Sequence, residues 1–500
     1  MALNSIQYLV FLTIIFFLYQ WVPVKQGWLV LLISSFIFYA SLKSPPLVLA
    51  LVLVIFISYF FGRLIKALEE ESKKRLGLFI GVGLNVLVLL TIKYLPTLTR
   101  AEESLGSPLI LFNGLSIDFN KLAPIGVSFF TFQAISYLID IYLEIIEPEY
   151  HLGYFALSLS FFPKLLQGPI ERSGKLIPQL KQPFYLNYQN VRDGLLQIGW
   201  GLFNKVVIAD RLALFVNPVF NNVDAFSGVQ LIITIYLYAL QIYFDFYAYT
   251  EIALGSARVF NIMLTPNFNL PYLAESVTDF WRRWHITFSQ WIQDYIFKPL
   301  QMNWRRYKSW GTIAAVLLTF LVSGIWHGVG WGFIIWGGLH GLFMAVEILL
   351  APIQKKKNIK NFTSRKWVRV AKIILTFNLV SFSWIFFRAK SLADAFYIVN
   401  HLFISPLNNS VGHLQGFLSL ESIIAIFKPL MMGQSKLQVV IFLVILMVYG
   451  LMLYLSNRQG NRFHLAEKSP AIRWAFYYGL IIITIFFGVY DQSQFIYFQF

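Results

Sequence analysis

Residues 310–350 read WGTIAAVLLTFLVSGIWHGVGWGFIIWGGLHGLFMAVEILL, and the parsing of this stretch decides the fold. It contains two apolar runs, 311–326 and 331–350, each about long enough to cross a hydrocarbon core of roughly 30 Å. Between them His327 stands in Ile-Trp-His-Gly, with aromatic residues on both sides and glycines at 324, 328, 330 and 332. An ionisable side chain in such a place is costly in lipid unless it faces a cavity or a partner. Burial favours the neutral imidazole, the form that accepts a proton. The plain alternative is a packing histidine at a helix turn.

The rest of the chain has the same character. Of its 500 residues 57% are hydrophobic and only 13% charged, with a mean hydropathy of +0.63, whereas soluble domains carry about a quarter charged residues. Repeated apolar runs broken by short basic loops predict an all-α polytopic membrane protein; a membrane β-barrel would alternate polar and apolar residues, and this chain does not. The first run, 6–22, has no basic residue before it and no small-residue cleavage site after it, and reads as a retained helix. The net charge of +16 sits at helix ends and in short loops. That distribution fits topology and lipid headgroups better than nucleic acid. The chain has no cysteine, which excludes disulfides, thiolate metal sites and an enzyme-bound thioester. Phosphate-loop and HExxH motifs are absent, and no cluster of metal ligands is legible.

In chain order, spans are predicted at about 6–22, 27–43, 46–63 and 77–95, then at 124–142 after a polar loop over 97–122. Residues 153–172, broken by Pro163, Gly168 and Pro169, predict a re-entrant or surface segment, because irregular backbone at membrane depth survives only inside protein or beside water. An amphipathic stretch follows to about 192, then runs at 194–217 and 227–260. Residues 354–372 hold eight basic residues and no acid, which marks a cytoplasmic loop. Spans at 373–388, 437–455 and 474–490 complete a count of about eleven and place both termini outside. No internal repeat and no linker is visible, so residues 1–500 read as one domain with its core at about 124–350 and a terminal tail at 491–500.

Two stretches carry polar residues that lipid does not tolerate. In YLYALQIYFDFYAYTEIALG, 236–255, Tyr238, Gln241, Asp245 and Tyr249 recur at helical steps and form one stripe. Such a stripe faces the bundle interior, either as a substrate site or as hydrogen bonding between helices. In TDFWRRWHITFSQWIQDYIFKP, 278–299, Asp279 and Arg283 stand at i,i+4. Trp281, Trp284, Phe288 and Trp291 predict one aromatic face, with His285 among them. An interfacial helix is the plain reading, although it has little use for both Asp279 and His285. Two histidines in apolar surroundings, an intramembrane carboxylate, no cysteine and no serine elbow point to proton abstraction from a hydroxyl by a buried imidazole.

These residues resemble the membrane-bound O-acyltransferase (MBOAT) family, in its bacterial branch concerned with alginate O-acetylation and teichoic acid D-alanylation. The resemblance rests on GVSFFTFQAISYLIDIY, FFPKLLQGPIER, QIYFDFYAYTEIALG, NFNLPYLAESVTDFWRRWHITFSQWIQDYIFKPL and SGIWHGVGWGFIIWGGLHG, in that order. It implies a helical bundle with a central tunnel, His327 as catalytic base, and His285 as a second polar group. The final FIYFQF fits a terminal F-x-Y-x-x-F pattern of this branch, which implies that Tyr497 takes the acyl group and presents it to an extracytoplasmic SGNH-type transferase. The relatives' F-D-F-S-G-Y-S-D reads here with Tyr247, Ala248, Thr250 and Glu251, a bulkier wall.

The expected function is therefore transfer of an acyl group, acetyl by preference, from a cytoplasmic thioester such as acetyl-CoA to an extracytoplasmic polysaccharide: alginate or another envelope glycan. No bound cofactor and no metal are expected. Gln241, Asp245, Tyr249, Asp279, Arg283, Trp326 and Trp331 are the expected substrate-side residues. D-alanyl transfer from a carrier protein to teichoic acid is the enzymatic alternative, and a transporter the alternative of another class; missing repeats count against the latter. The expected location is the bacterial inner membrane.

Overall fold

The computed structural model describes residues 1–42, 44–94 (the helix backbone running on to 103), 125–328, 330–354, 365–403, 439–450 without 441 and 448, 469–490 and 495–496. No strand forms among them. Seven of the helices are long and apolar enough to cross a membrane, and three shorter apolar helices accompany them at Ile6–Trp21, Val24–Ala40 and Val127–Tyr142. Of the span expected over 437–455, nine of nineteen residues lie outside the described residues. The run expected over 194–217 is α8 (Tyr188–Phe203), a π segment (Asn204–Ala209) and α9 (Asp210–Asn221), not one straight crossing.

The axis of the bundle is α10, Val229–Arg258, whose most apolar window is 67% buried. The helix at Pro470–Phe487 is at the other extreme, with nothing of its window buried and Ile481, Ile482, Ile485 and Phe486 turned outward. Apolar side chains exposed on that scale are what lipid contact requires. Against the axis packs α8, and small residues set the distance. A Cβ on Gly194 would meet the Gly255 carbonyl oxygen at 2.8 Å, and one on Gly201 the Ala248 oxygen at 2.8 Å. Backbones this close are how membrane helices gain dispersion contact when water supplies no driving force between them.

The central hairpin forms as predicted. α14 (Lys308–His327) and α15 (Trp331–Gln354) run antiparallel and touch along their length. Here too glycine decides the contact: a Cβ on Gly324 would come within 2.4 Å of the Phe333 oxygen. The expected 373–388 span begins earlier, at Lys366, and ends at Arg388 as α16.

Most of residues 153–172 are buried inside the protein, which argues against the surface segment, one of the two expectations. The short helix α6, Leu152–Ser160, gives way to irregular backbone, and every residue from Phe155 to Glu171 is buried. Its polar backbone groups are taken up by protein: Phe162 N donates to Ser35 Oγ at 3.1 Å, Gln167 N to Tyr249 Oη at 3.1 Å and Ile170 N to Thr287 Oγ1 at 3.0 Å. That is the condition under which non-helical chain is tolerated at this depth. The amphipathic helix after it is α7, Ser173–Leu180, burying Leu176, Ile177 and Leu180.

Candidate active site

The stretch 278–299 is not one helix, and this corrects the single aromatic face predicted for it. α11 (Val277–Arg283) stops, and α12 (Ile286–Ile292) starts anew. Between them His285 adopts φ +42°, in the left-handed region. A residue with a Cβ held there costs on the order of 1–3 kcal/mol, so the surroundings must fix it. Asn267, fully buried, does so from the NFNLPY segment. Its carbonyl oxygen accepts from Ile286 N at 2.9 Å, and its Oδ1 accepts from Thr287 Oγ1 at 2.7 Å. Asn269 N adds a bond to the Arg283 oxygen at 2.9 Å.

The break splits the tryptophans into two groups. Trp281 and Trp284 turn to Trp336, His340 and Trp384. Phe288 and Trp291 turn the other way, to Phe132 and Trp326. His285 is thereby seated between Phe246 of α10, at 4.8 Å between ring centroids, and Phe288 at 5.0 Å.

His327 ends α14 and is 5% exposed. Trp326, Trp336 and Phe387 surround its ring at 4.5, 4.8 and 5.1 Å. Phe288 stands between the two histidines, stacked on His285 and edge-on to His327 at 6.1 Å. Around this ring several buried polar atoms have no hydrogen-bond partner: His285 Nε2, Ser323 Oγ and Trp326 Nε1. Buried polar groups are normally satisfied, so a cluster that is not satisfied marks a place kept for a ligand.

A cavity of about 270 Å³ shares Phe288 and Ser323 with this group. Thr278, Arg282 and Gln293 also line it. Ser323 is one helical turn before His327 and so lies on the same face of α14. Met344 and Ile348 of α15 line it as well.

All five sequence motifs meet at this point. Phe132 of the first stacks on Trp291 and meets Trp326 at a tilt, 5.4 Å between ring centroids. Thr287 Oγ1 accepts from Ile170 of the second while it donates to Asn267 of the fourth. Tyr249 of the third, in the α10 stripe, holds Gln167 of the second.

The predicted site residues divide accordingly. His327, His285 and Trp326 are brought together. Tyr238, Gln241, Asp245 and Tyr249 are all buried, as the stripe requires. Asp245 pairs with Lys205 at 2.7 Å, away from the histidine face of α10, and Gln241 Oε1 has no partner. Asp279 and Arg283 form the predicted pair at 3.0 Å, but Asp279 also accepts from Glu275 N at 3.2 Å while its own N–H donates to Ser276 Oγ at 3.1 Å. They cap α11, and their neighbours Thr278 and Arg282 line the cavity instead. Trp331, 68% exposed at the start of α15, is not part of the pocket. Tyr497 lies outside the described residues. The bulkier wall turns to α8: Trp200 Nε1 donates to Tyr247 Oη at 3.2 Å and Gln197 Nε2 to Glu251 Oε2 at 2.9 Å.

Sequence reading missed Ser323, Asn267 and Lys93. Ser323 was legible as the i−4 neighbour of His327. Lys93 donates to the Trp326 carbonyl, and Tyr94 Oη to that of Ile325 at 2.8 Å. Together they cap the free carbonyls at the end of α14.

Comparison with known proteins agrees with this geometry. The profile of the membrane-bound O-acyltransferase family, MBOAT, matches residues 146–388, a stretch that contains both histidines. The chain is 37% identical to the peptidoglycan O-acetyltransferase of Helicobacter pylori, over 74% of this chain and 72% of that protein. It is 32% identical to the probable alginate O-acetylase of Pseudomonas aeruginosa, over 80% and 75% respectively. To the teichoic acid D-alanyltransferase of Bacillus subtilis it is 27% identical, over 54% and 70%. The chain belongs to the MBOAT family, and is a multi-pass membrane acyltransferase.

Proposed function

We propose that the protein carries an acetyl group from a cytoplasmic thioester, acetyl-CoA by preference, through the bundle toward a hydroxyl of an envelope glycan outside the bacterial inner membrane. The observation that carries this reading is the set of unpartnered buried atoms near His327, His285 Nε2, Ser323 Oγ and Trp326 Nε1, of which Ser323 also lines a cavity of about 270 Å³. The basic loop over 354–372, read as cytoplasmic, supports donor entry from that side and both termini outside.

In this reading the His327 imidazole takes the proton of the acceptor hydroxyl as its oxygen attacks the thioester carbonyl. The C–O bond forms, the C–S bond breaks, and the leaving thiolate recovers the proton from the imidazolium. Trp326 Nε1–H and Ser323 Oγ–H are donors available to the carbonyl oxygen as charge develops on it. His285, fixed by its backbone, orients the group between the rings. The first acceptor is the hydroxyl of Tyr497. A phenol titrates near 10 and needs a base, while its ester is more activated than a sugar ester, so onward transfer runs downhill. An SGNH-type transferase outside then moves the acetyl group to the glycan, in a setting of membrane lipid and with no metal.

Acetyl is favoured over D-alanyl because the two O-acetyl relatives match more of this chain at higher identity. Purified protein given thioester labelled in its acetyl group tests the reading. The expected result is an alkali-labile label on Tyr497 that His327→Ala abolishes. Label that appears on no residue, or that persists in His327→Ala, would refute it.

A further inference from the structure

The histidine pocket leaves unused the strongest charges in the interior. Lys205, in the π segment, holds Asp210 Oδ1 at 2.8 Å and Asp245 Oδ1 at 2.7 Å, and all three side chains are at most 5% exposed. The second oxygen of Asp245 does not go to a neighbouring helix. It accepts the main-chain N–H of Ile496 at 2.8 Å, across 251 residues of chain. Phe495, buried beside it, covers the Lys205 ammonium at 4.5 Å and meets Tyr249 edge-on at 5.1 Å. Two further bonds lead the chain to this place after the last helix: Arg211 donates to the Phe487 oxygen at 2.7 Å, and Val489 N to the Val206 oxygen at 2.8 Å.

A π segment with a buried cation is a costly local structure, of the kind that recurs at functional sites. Here its ammonium, its backbone and its partner carboxylate all address the same late stretch of chain. We propose that Lys205, Asp210 and Asp245 form a docking seat for the protein's own C-terminal segment. The seat reads the Ile496 amide and the ring at 495, and it sets the register of the next residue, Tyr497. Asp245 and Phe246 are consecutive on α10, about 100° apart around the axis, so the seat and the His285 face are adjacent sides of one helix. Asp245 bonds Lys205 through Oδ1 and the Ile496 amide through Oδ2, so the two contacts use different oxygens. The purpose of the register rests on the relay role of Tyr497; the seat itself does not.

The absence of cysteine from the chain makes the test clean. Ile496→Cys keeps the main-chain N–H, and in the full-length protein the new thiol should react slowly with a bulky maleimide. Adding Asp245→Asn, which turns an amide donor toward the Ile496 N–H, should raise the labelling rate by about tenfold or more, the loss of one charge-assisted hydrogen bond. Phe495→Ala should also raise it with the charge cluster intact, which covers the case where Asp245→Asn fails to fold. Tyr497→Phe should leave protection unchanged. Equal labelling in folded Asp245→Asn or Phe495→Ala protein and in the parent would overturn the seat. Protection lost on both substitutions supports the seat even if Tyr497 never takes label from the thioester, a result that would sink the relay alone.

Discussion

Among the described residues three histidines are buried in one bundle, and the two regions that hold them treat them in opposite ways. His340 of α15 is satisfied at both nitrogens. Trp281 Nε1–H, which is only a donor, approaches Nδ1 at 3.2 Å, so Nδ1 accepts and the proton sits on Nε2. Nε2–H then donates to Ser383 Oγ at 2.8 Å, and Ser383 passes its own proton to the Val380 oxygen at 2.7 Å. A serine beside a histidine suggests a nucleophile and its base, but the tautomer forbids it, because this imidazole gives a hydrogen bond to the hydroxyl. One tryptophan ring bridges this network and the other region: the Trp336 centroid is 5.1 Å from that of His340 and 4.8 Å from that of His327. There His285 Nε2, Ser323 Oγ and Trp326 Nε1 lack partners. Burial is common to both regions, and hydrogen-bond saturation tells His340, bonded at both nitrogens, from His285, whose Nε2 is left open.

Substitutions break or sharpen this contrast. His327→Ala should lower acetyl transfer by about 10³-fold, the weight of a general base, with insertion and thermal stability near normal. Turnover measured on equal amounts of folded protein checks it. His285→Asn, which tolerates the left-handed backbone, should cost about 10-fold in turnover at unchanged melting temperature. A loss as large as that of His327→Ala would make His285 the base instead. His340→Ala should do the reverse: about 1–3 kcal/mol of stability lost, because Trp281 Nε1 and Ser383 Oγ are stranded, with turnover of the folded fraction within about threefold. If that variant is stable and inactive, saturation is the wrong criterion. Trp331→Ala, at an exposed position, should change neither activity nor stability by more than about twofold or 0.5 kcal/mol.

Much of the contrast was legible in the residues. Apolar run lengths and basic loops gave the hairpin around His327, and proline and glycine at 163–169 announced irregular interior chain. The step pattern from Tyr238 to Tyr249 gave a buried stripe. What failed has a common cause. Helical periodicity over 278–299 was real on each side of the break, but nothing local announces a left-handed histidine. The signal is Asn267, eighteen residues earlier, and its partner is fixed only by tertiary contact. The same holds for Asp279 and Arg283, whose spacing predicts a pair but not that the pair serves a helix cap. His340 escaped notice because the tryptophan and serine that satisfy it come from 59 and 43 residues away.

The Thr287 hydroxyl has a consequence for biogenesis. It ties residue 170 to residue 267, while Phe132 and Trp326 close the other side of the pocket. Contacts of such sequence separation form late, after most of the chain has entered the bilayer. A ribosome-bound or prematurely ended polypeptide therefore holds its histidines but not the geometry between them.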